Sequence, residues 1–207
     1  DNTNLNNLPS TASAKKKEKN GWTTKAWAPS ALKIDGDGDG KDEYYIFYTD
    51  GGGIGYVRGD SPVGPWHDDL GQKMFTSKSE GCEGVKWCFD PAVLADDKGN
   101  AYIYFGGGND EEKYVQTGRV CKLKFEKGTG IVSPDGIPKT LNTFCFFEDG
   151  EINQIDGKYI YSYCTNWDVK EDTPYVGAVQ IAAYVSSDPM NICFFPDKIG
   201  KTKFTDE

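Results

Sequence analysis

The sequence predicts an all-β protein with the sheet arrangement of a β-propeller. Three observations support this prediction: a strand–turn–strand unit occurs three times, the units begin about 60 residues apart, and the composition favours turns and strands. Gly contributes 25 of the 207 residues, Pro contributes 10, and aromatic residues make up 14%. Glycine and proline end short strands, and aromatic side chains pack well on a pleated sheet, so this composition is typical of a β protein.

Each repeated unit contains a short strand, a polar turn and an aromatic-rich strand. Alternation such as Tyr-Ile-Tyr fits a pleated strand with two different faces. The Asp-Gly pair at Asp156 and Gly157 is a strong hairpin signal. The six strands predicted from these units are, in chain order, Trp27–Ile34, Tyr44–Tyr48, Phe89–Leu94, Ala101–Phe105, Phe147–Ile155 and Lys158–Tyr163.

The spacing of the units leaves room for further strands. Pro91 lies 62 residues after Pro29, and Asp149 lies 58 residues after Pro91. The additional strands that we expect in the gaps are Ile54–Arg58, Val120–Phe125 and Val179–Val185. Three sheets would fill residues 21–207, whereas a closed propeller needs at least four, so we expect a partial propeller. A β-sandwich is the alternative, and the repeat period argues against it. Residues 1–20 lack the alternation and are expected to form an irregular or flexible arm.

The charge and cysteine content exclude several classes of protein. A net charge of −9 and a pI of about 4.7 repel phosphate backbones, so we expect no nucleic-acid partner. No stretch approaches the ~20 apolar residues of a membrane helix, so we expect no membrane partner. The six cysteines form no CxxC pair and His67 is the single histidine, so no zinc site is predicted. Cys82 and Cys88 share one loop and are the easiest disulfide to close. The alternative is that the cysteines are free, mostly buried thiols.

Two carboxylates are candidates for catalysis. In a propeller, the first strand of each sheet points toward the central channel, and there we expect Asp90 and Glu148 at equivalent positions of their units. Paired carboxylates in an aromatic cleft suit glycoside hydrolysis, with one of them as the acid. Burial against Phe146 and Phe147 and the charge of Asp90 would both raise the pKa of Glu148, as a general acid requires. The alternative is that Asp90 caps a turn before Pro91 and that Glu148 is an ordinary surface residue.

Three aromatic residues, Trp27, Trp87 and Phe89, are candidates for substrate binding because the C–H faces of sugar rings pack on aromatic planes. Packing within its loop is the alternative role for Trp87. Glu151 competes with Glu148 for the role of acid. In a regular strand, residues three positions apart point to opposite faces, so we expect only one of the two to face the site.

Several segments together are similar to glycoside hydrolase family 43. Their order and spacing, from about Trp22 to Met190, are more specific than any one of them. The resemblance implies a five-bladed propeller that hydrolyses arabinose and xylose linkages in plant polysaccharides with inversion, as an α-L-arabinofuranosidase or a β-xylosidase. It also implies a carbohydrate substrate and an extracellular location. The segments that carry it are Trp27–Ser30, Asp60–Trp66, Phe89–Gly108, Phe146–Tyr163 and Ser187–Met190.

The resemblance also implies roles for single residues. The family's general acid, a Glu after an aromatic pair, falls on Glu148, and the Asp that tunes this acid and orients the sugar falls on Asp90. The family's general base is an Asp in an Ala-Asp-Pro segment of the first blade, and the sequence contains no such segment. We therefore expect that the first and last blades are missing and that this chain alone is inactive or severely impaired. A non-catalytic carbohydrate-binding propeller is the alternative. No cofactor is expected, and the complete enzyme could hold a calcium ion at the channel centre.

The segment Asp35–Gly40 reads Asp-Gly-Asp-Gly-Asp-Gly and matches the first half of a calcium-loop pattern. The twelfth position of that pattern is Ile46, where the calcium loop requires Glu. The segment also falls where the repeat requires a hairpin turn. We therefore predict an extended, solvated turn here rather than a calcium site.

Overall fold

The computed structural model describes residues 22–108, 117–143, 146–165 and 180–192. Every regular element within these ranges is a β-strand, and the strands form three antiparallel sheets that follow one another along the chain. The predicted arm, residues 1–20, lies outside the described residues. The described part of the chain contains no apolar helix of the length that a membrane crossing requires.

The first sheet contains four strands in chain order: β1 (Trp27–Ile34), β2 (Glu43–Thr49), β3 (Gly53–Gly59) and β4 (Phe75–Thr76). The acidic turn predicted at Asp35–Gly40 connects β1 to β2. In β2, five of the seven residues are buried. This strand is buried because it lies between β1 and β3 and because its aromatic side chains pack in hydrophobic clusters.

The second sheet contains five strands: β5 (Ala92–Ala95), β6 (Ala101–Phe105), β7 (Arg119–Phe125), β8 (Val132–Pro134) and β9 (Lys139–Thr140). The first four are paired in chain order, and β9 pairs with β7. All of β6 is buried, as expected for a strand that is covered on both faces.

The third sheet contains three strands: β10 (Phe146–Ile155), β11 (Lys158–Thr165) and β12 (Ile181–Ser186). Asp156 and Gly157 form the turn between β10 and β11, with φ angles of 50° and 70°. Positive φ at both central residues is the requirement of a type I′ turn, for which Asp-Gly is a preferred pair. The hairpin predicted from this pair is therefore confirmed.

Two hydrophobic clusters join the sheets face to face. One cluster lies between the first and second sheets, where Phe75 stacks on Phe105 with 4.7 Å between ring centroids. The other lies between the second and third sheets, where Tyr104 stacks on Tyr161 at 5.3 Å. Successive antiparallel sheets that pack on one another through their faces are the blades of a propeller. The predicted all-β, partial propeller is confirmed.

The predicted strands are present, with small differences at their ends. The clearest difference is in β5, which begins at Ala92, three residues later than predicted. Asp90 adopts a left-handed φ of 49°, and Pro91 has no N–H to donate, so regular pairing cannot start before Ala92.

The cysteines in the described residues are all free thiols. Cys82 and Cys88, the pair easiest to close, therefore form no disulfide, and the expectation of free, mostly buried thiols is confirmed for these residues. Cys145 and Cys193 lie outside the described part of the chain. The buried thiols are Cys82, Cys88 and Cys121, and the partly buried one is Cys164.

Candidate active site

The same backbone irregularity occurs in or just before the first strand of each sheet. Ala28, Asp90 and Asp149 have φ angles of 46°, 49° and 56°, in the left-handed region that residues other than glycine rarely adopt. In β1 and β10 the register with the neighbouring strand slips by one residue at this point, which is a β-bulge. These three residues therefore occupy equivalent positions in the three repeated units.

This equivalence corrects the alignment made from the sequence. That alignment placed Glu148 at the position of Asp90. In the structure the counterpart of Asp90 is Asp149, and Glu148 corresponds to Trp27 and Phe89. The alignment was wrong by one residue because a bulge depends on the φ angle of a single residue, which the alternation of side chains does not record.

The residue before each left-handed residue lines one common cavity. Trp27, Phe89 and Glu148, one from each unit, all line a cavity of about 400 Å³. The repeated backbone irregularity thus places two aromatic rings and one carboxylate in the lining of one cavity. The remaining lining residues are Gly52, Ser77, Lys86, Trp87 and Cys88.

Asp90 is held by contacts with the sheets on either side. Its backbone N–H donates to the hydroxyl of Thr49 at 3.0 Å, and Thr49 is buried at the end of β2. Its carboxylate accepts a hydrogen bond from the N–H of Asp149 at 3.1 Å. Asp90 does not itself line the cavity, but it lies between the lining Phe89 and the backbone that follows Glu148. The structure thus brings Asp90 and Glu148 together, and their catalytic roles stay predictions.

Burial changes the acidity of both carboxyl groups. It raises the pKa of Asp90 to about 6, with the N–H of Asp149 partly opposing the rise and the charges of Glu148 and Asp149 adding to it. Burial also raises the pKa of Glu148, and the charge that adds to this rise is that of Asp149. The repulsion between Asp90 and Glu148 expected from the sequence is present as well, since the charge of Glu148 adds to the rise at Asp90. Both groups therefore keep their protons to higher pH than free carboxyl groups do, as a general acid requires.

Glu151 lies on the same face of β10 as Glu148. Across the strand pair, Glu148 is opposite Cys164 and Glu151 is opposite Ser162. Cys164 and Ser162 are two residues apart in a regular strand and share a face, so the two glutamates share it as well. The prediction of opposite faces is wrong because the bulge after Glu148 inserts one residue. Glu151 is exposed and does not line the cavity.

The aromatic candidates divide into exposed and buried rings. Trp27 is 53% exposed and Trp87 is 41% exposed, whereas Phe89 is only 5% exposed. Phe89 lies between them, with its ring centroid 5.9 Å from that of Trp27 and 5.6 Å from that of Trp87. The two tryptophans therefore offer ring surface to a ligand, and Phe89 mainly supports them.

Two charged residues of the site were not expected from the sequence. Asp149 was not selected, although an Asp-Gly pair inside a predicted strand is a signal for a bulge or turn. Lys86 was not selected because it lies in an irregular loop without a pattern. Its ammonium group lies 5.7 Å from the centroid of the Trp87 ring and lines the cavity.

The acidic turn lies apart from the cavity lining. The nearest ligand atoms of its four carboxylates lie within 4.8 Å of one another, but the turn's own backbone uses them as hydrogen-bond acceptors. The buried carboxylate of Glu43, for example, accepts the N–H of Gly36 at 2.7 Å. These bonds match the predicted turn. The four residues are Asp35, Asp37, Asp39 and Glu43.

Known proteins and solved structures are similar to this chain. The arabinoxylan arabinofuranohydrolase of Paenibacillus polymyxa is 37% identical over 193 residues, which are 89% of this chain and 29% of that protein. A family 43 arabinoxylan arabinofuranohydrolase from Bacillus subtilis, solved with cellotetraose, superposes with a TM-score of 0.73 at 35% identity, covering 82% of this chain and 35% of that one. An α-L-arabinofuranosidase from Clostridium thermocellum gives 0.67 at 31% identity, covering 86% and 52%. This chain thus spans less than a third of the Paenibacillus protein.

Propeller blades that bring one carboxylate to an aromatic cavity and hold a second beside it have the arrangement expected of the glycoside hydrolase class. The sequence matches the family described as Glycosyl hydrolases family 43 over residues 2–165. The chain belongs to this family.

Proposed function

We propose that this chain is the sugar-binding, acid-supplying part of a family 43 glycoside hydrolase that acts on arabinose- or xylose-containing plant polysaccharides or oligosaccharides. One observation carries the proposal: residues from three sheets, Trp27, Phe89 and Glu148, line a single cavity, with Asp90 bound to the backbone next to Glu148. A cavity of this size with few polar groups is the usual form of a small-ligand site.

In the proposed reaction, Glu148 is the general acid. Its raised pKa keeps the proton bound to higher pH than in a free carboxyl group, and it gives this proton to the glycosidic oxygen as the bond to the anomeric carbon breaks. Asp90 tunes this acid and orients the sugar. Its own position is fixed by Thr49 and by the N–H of Asp149, so it needs no rearrangement when the substrate binds.

Inversion also requires a base that removes a proton from the attacking water on the opposite side of the sugar. The sequence contains no Ala-Asp-Pro segment, which is where the family carries this base. We therefore propose that this chain alone binds sugar but does not activate water. The exposed ring surfaces of Trp27 and Trp87 would supply the binding.

The names of the relatives support a side-chain arabinose as the preferred sugar, since two are arabinoxylan arabinofuranohydrolases and one is an α-L-arabinofuranosidase. Xylose remains the second candidate from the family resemblance. A polysaccharide of plant cell walls is met outside the cell, so we propose an extracellular location. The net charge of −9 supports a neutral sugar rather than a nucleic acid as the partner.

Azide provides the test, because it attacks the anomeric carbon without a general base. As the carbon–nitrogen bond forms and the glycosidic bond breaks, the leaving oxygen takes the proton of Glu148, and the products are a glycosyl azide of inverted configuration and the free alcohol. We expect aryl arabinofuranosides with poorly acidic phenols to be cleaved slowly in buffer and faster with azide. Glu148→Gln should abolish the azide-dependent rate while calorimetry shows retained binding of oligosaccharides.

Glu151→Gln is the matched control, since Glu151 shares the face of Glu148 but lies outside the cavity, and it should keep the azide-dependent rate. Efficient turnover without azide would refute the proposal that this chain lacks a general base. Equal azide-dependent rates for the native protein and Glu148→Gln would refute the acid assignment. Binding without any azide-dependent turnover would favour the non-catalytic carbohydrate-binding propeller, for which the absent Ala-Asp-Pro segment is the supporting observation.

A further inference from the structure

We infer that Arg119 is a positioning residue that fixes the aromatic wall of the cavity by holding the loop that carries it. The inference rests on the proposed function for the identity of the ligand. It concerns the segment Ser77–Phe89, called the wall loop below.

The wall loop supplies most of the cavity lining but contains no regular strand. It connects β4 to the segment before β5, and five of the eight lining residues belong to it. A loop of this kind keeps its conformation through turn hydrogen bonds, such as that from the N–H of Val85 to the carbonyl of Cys82, and through side chains that bind its remaining backbone groups. The five residues are Ser77, Lys86, Trp87, Cys88 and Phe89.

Arg119 binds the middle of the wall loop from the second sheet. It is the first residue of β7 and is only 4% exposed. Its Nε donates to the carbonyl of Gly81 at 2.7 Å, and its Nη2 donates to the carbonyl of Glu83. Its Nη1 donates to the carbonyl of Gly118, next to it in the chain, at 2.9 Å. One planar guanidinium therefore fixes two loop carbonyls relative to the sheet.

The loop around these carbonyls is shaped for close approach. Gly81 has a φ of 79°, and a Cβ there would lie 2.7 Å from the carbonyl oxygen of Pro138. Cys82 and Val85 bury their side chains in the core between the first two sheets. Trp87 follows directly, and its N–H donates to the carbonyl of Gly107 at 2.9 Å. Trp87 is thus anchored at its own N–H and by the preceding chain, which Arg119 holds at Gly81 and Glu83.

The two carboxylates are held by other contacts. Asp90 is bound through Thr49 and the N–H of Asp149, and Glu148 belongs to β10. Loosening the wall loop should therefore weaken sugar binding while the carboxylates keep their positions. Lysine cannot replace Arg119, because a single ammonium group cannot reproduce the fixed fork of the guanidinium.

The experiment compares Arg119→Lys with Arg58→Lys in the whole chain. Arg58 is the matched control: it also uses its guanidinium fork, on Asp69 at 2.8 and 3.1 Å, but it binds no carbonyl of the wall loop. Hydrogen exchange followed by mass spectrometry reports the wall loop, and calorimetry with arabinoxylan oligosaccharides reports binding. We expect Arg119→Lys to speed exchange in the wall loop about tenfold and to raise the Kd about tenfold, with exchange in β2 and β3 unchanged. Arg58→Lys should leave both the wall-loop exchange and the Kd unchanged.

Each outcome decides a separate point. Wall-loop exchange within about twofold of the native protein would overturn the inference, and so would faster exchange with an unchanged Kd. If the native chain binds no oligosaccharide, the proposed function fails, and the exchange comparison still tests whether Arg119 holds the loop. Arg119→Gln, which leaves no buried charge, serves if the lysine variant does not fold, and the same results are expected of it.

Discussion

Gly150 tests the bulge that turns Glu148 toward the cavity. A Cβ added at Gly150 would overlap the hydroxyl of Tyr161 and lie 2.7 Å from the ring carbon that carries this hydroxyl. Tyr161 is fully buried and stacks on Tyr104, so its ring has no room to withdraw. Overpacking by one methyl group costs about 1–3 kcal/mol, and contact with both ring and hydroxyl places Gly150→Ala near the upper end. For a chain of this size, about 2–3 kcal/mol lowers the Tm by roughly 4–12 °C.

Removing the hydroxyl should relieve part of this cost. The hydroxyl of Tyr161 has no hydrogen-bond partner among the described residues, so Tyr161→Phe alone should change the free energy of unfolding by less than about 1 kcal/mol. In the double variant, the ring carbon still lies closer than an ordinary contact, but the overlapping oxygen is gone. We therefore expect Gly150→Ala and Tyr161→Phe to show a favourable coupling of about 1 kcal/mol in a double-mutant cycle.

Urea unfolding of the four proteins measures this coupling. Gly157→Ala is the matched control, because Gly157 has a φ of 70° but nothing within 4 Å of its added Cβ. Its cost of roughly 1–2 kcal/mol comes from the backbone alone and should not change with Tyr161→Phe. A cost for Gly150→Ala below about 0.5 kcal/mol, or a coupling of zero, would refute the argument that close packing under the bulge fixes its geometry.

Three other results are expected. Burial raises the folded-state pKa of Asp90 to about 6, above an unfolded value of about 4, so its ionisation destabilises the fold as the pH rises through this window. Asp90→Asn should therefore stabilise the chain more at about pH 7.5 than at about pH 4.5, by about 1 kcal/mol after allowance for solvent screening. Urea titrations at the two pH values measure this difference. An equal effect at both would contradict the raised pKa of Asp90. Trp27→Ala should weaken oligosaccharide binding about tenfold in calorimetry with little change in Tm, because this ring is exposed. Phe89→Ala should instead lower the free energy of unfolding by about 3–5 kcal/mol, because this ring is buried. The reverse pattern would contradict the division into exposed and supporting rings. Iodoacetamide should label Cys164 before the three buried cysteines, because burial raises the pKa of those thiols to about 11 or 12. Peptide mass spectrometry measures the order of labelling, and any other order would contradict this prediction.

The strands were predictable because their signals are local. The central strand of each sheet, such as Ala101–Phe105, combines alternating aromatic and β-branched residues with a turn of Asp, Asn or Gly, and neither signal depends on distant contacts. Asp90 and Glu148 were predictable as neighbours for a related reason. Each follows an aromatic residue in the first strand of its unit, and the first strands of a propeller all face the central channel.

The register of the first strands was not predictable in the same way. A bulge changes the φ angle of one residue and shifts every later side chain to the other face, while the sequence pattern on either side stays the same. The contribution of Asp149 was missed for the same reason, since its charge adds to the raised pKa of Glu148. The role of Arg119 also left no sequence signal, because it binds backbone carbonyls 36 and 38 residues away.

The three left-handed residues show how the fold and the chemistry are separated. Ala28, Asp90 and Asp149 each adopt a conformation that costs an L-residue about 1–2 kcal/mol, and none is glycine. Strain repeated at one position of three sheets indicates that the surrounding structure enforces it, and such strain is concentrated at functional sites. Here the left-handed conformation orients the preceding residue of each unit toward the same cavity. Since the backbone is equivalent in all three units, the identity of that residue, an aromatic ring in two sheets and a carboxylate in the third, decides which chemical groups face the cavity. In the proposed reaction, the rings bind the sugar and the carboxyl group protonates the glycosidic oxygen.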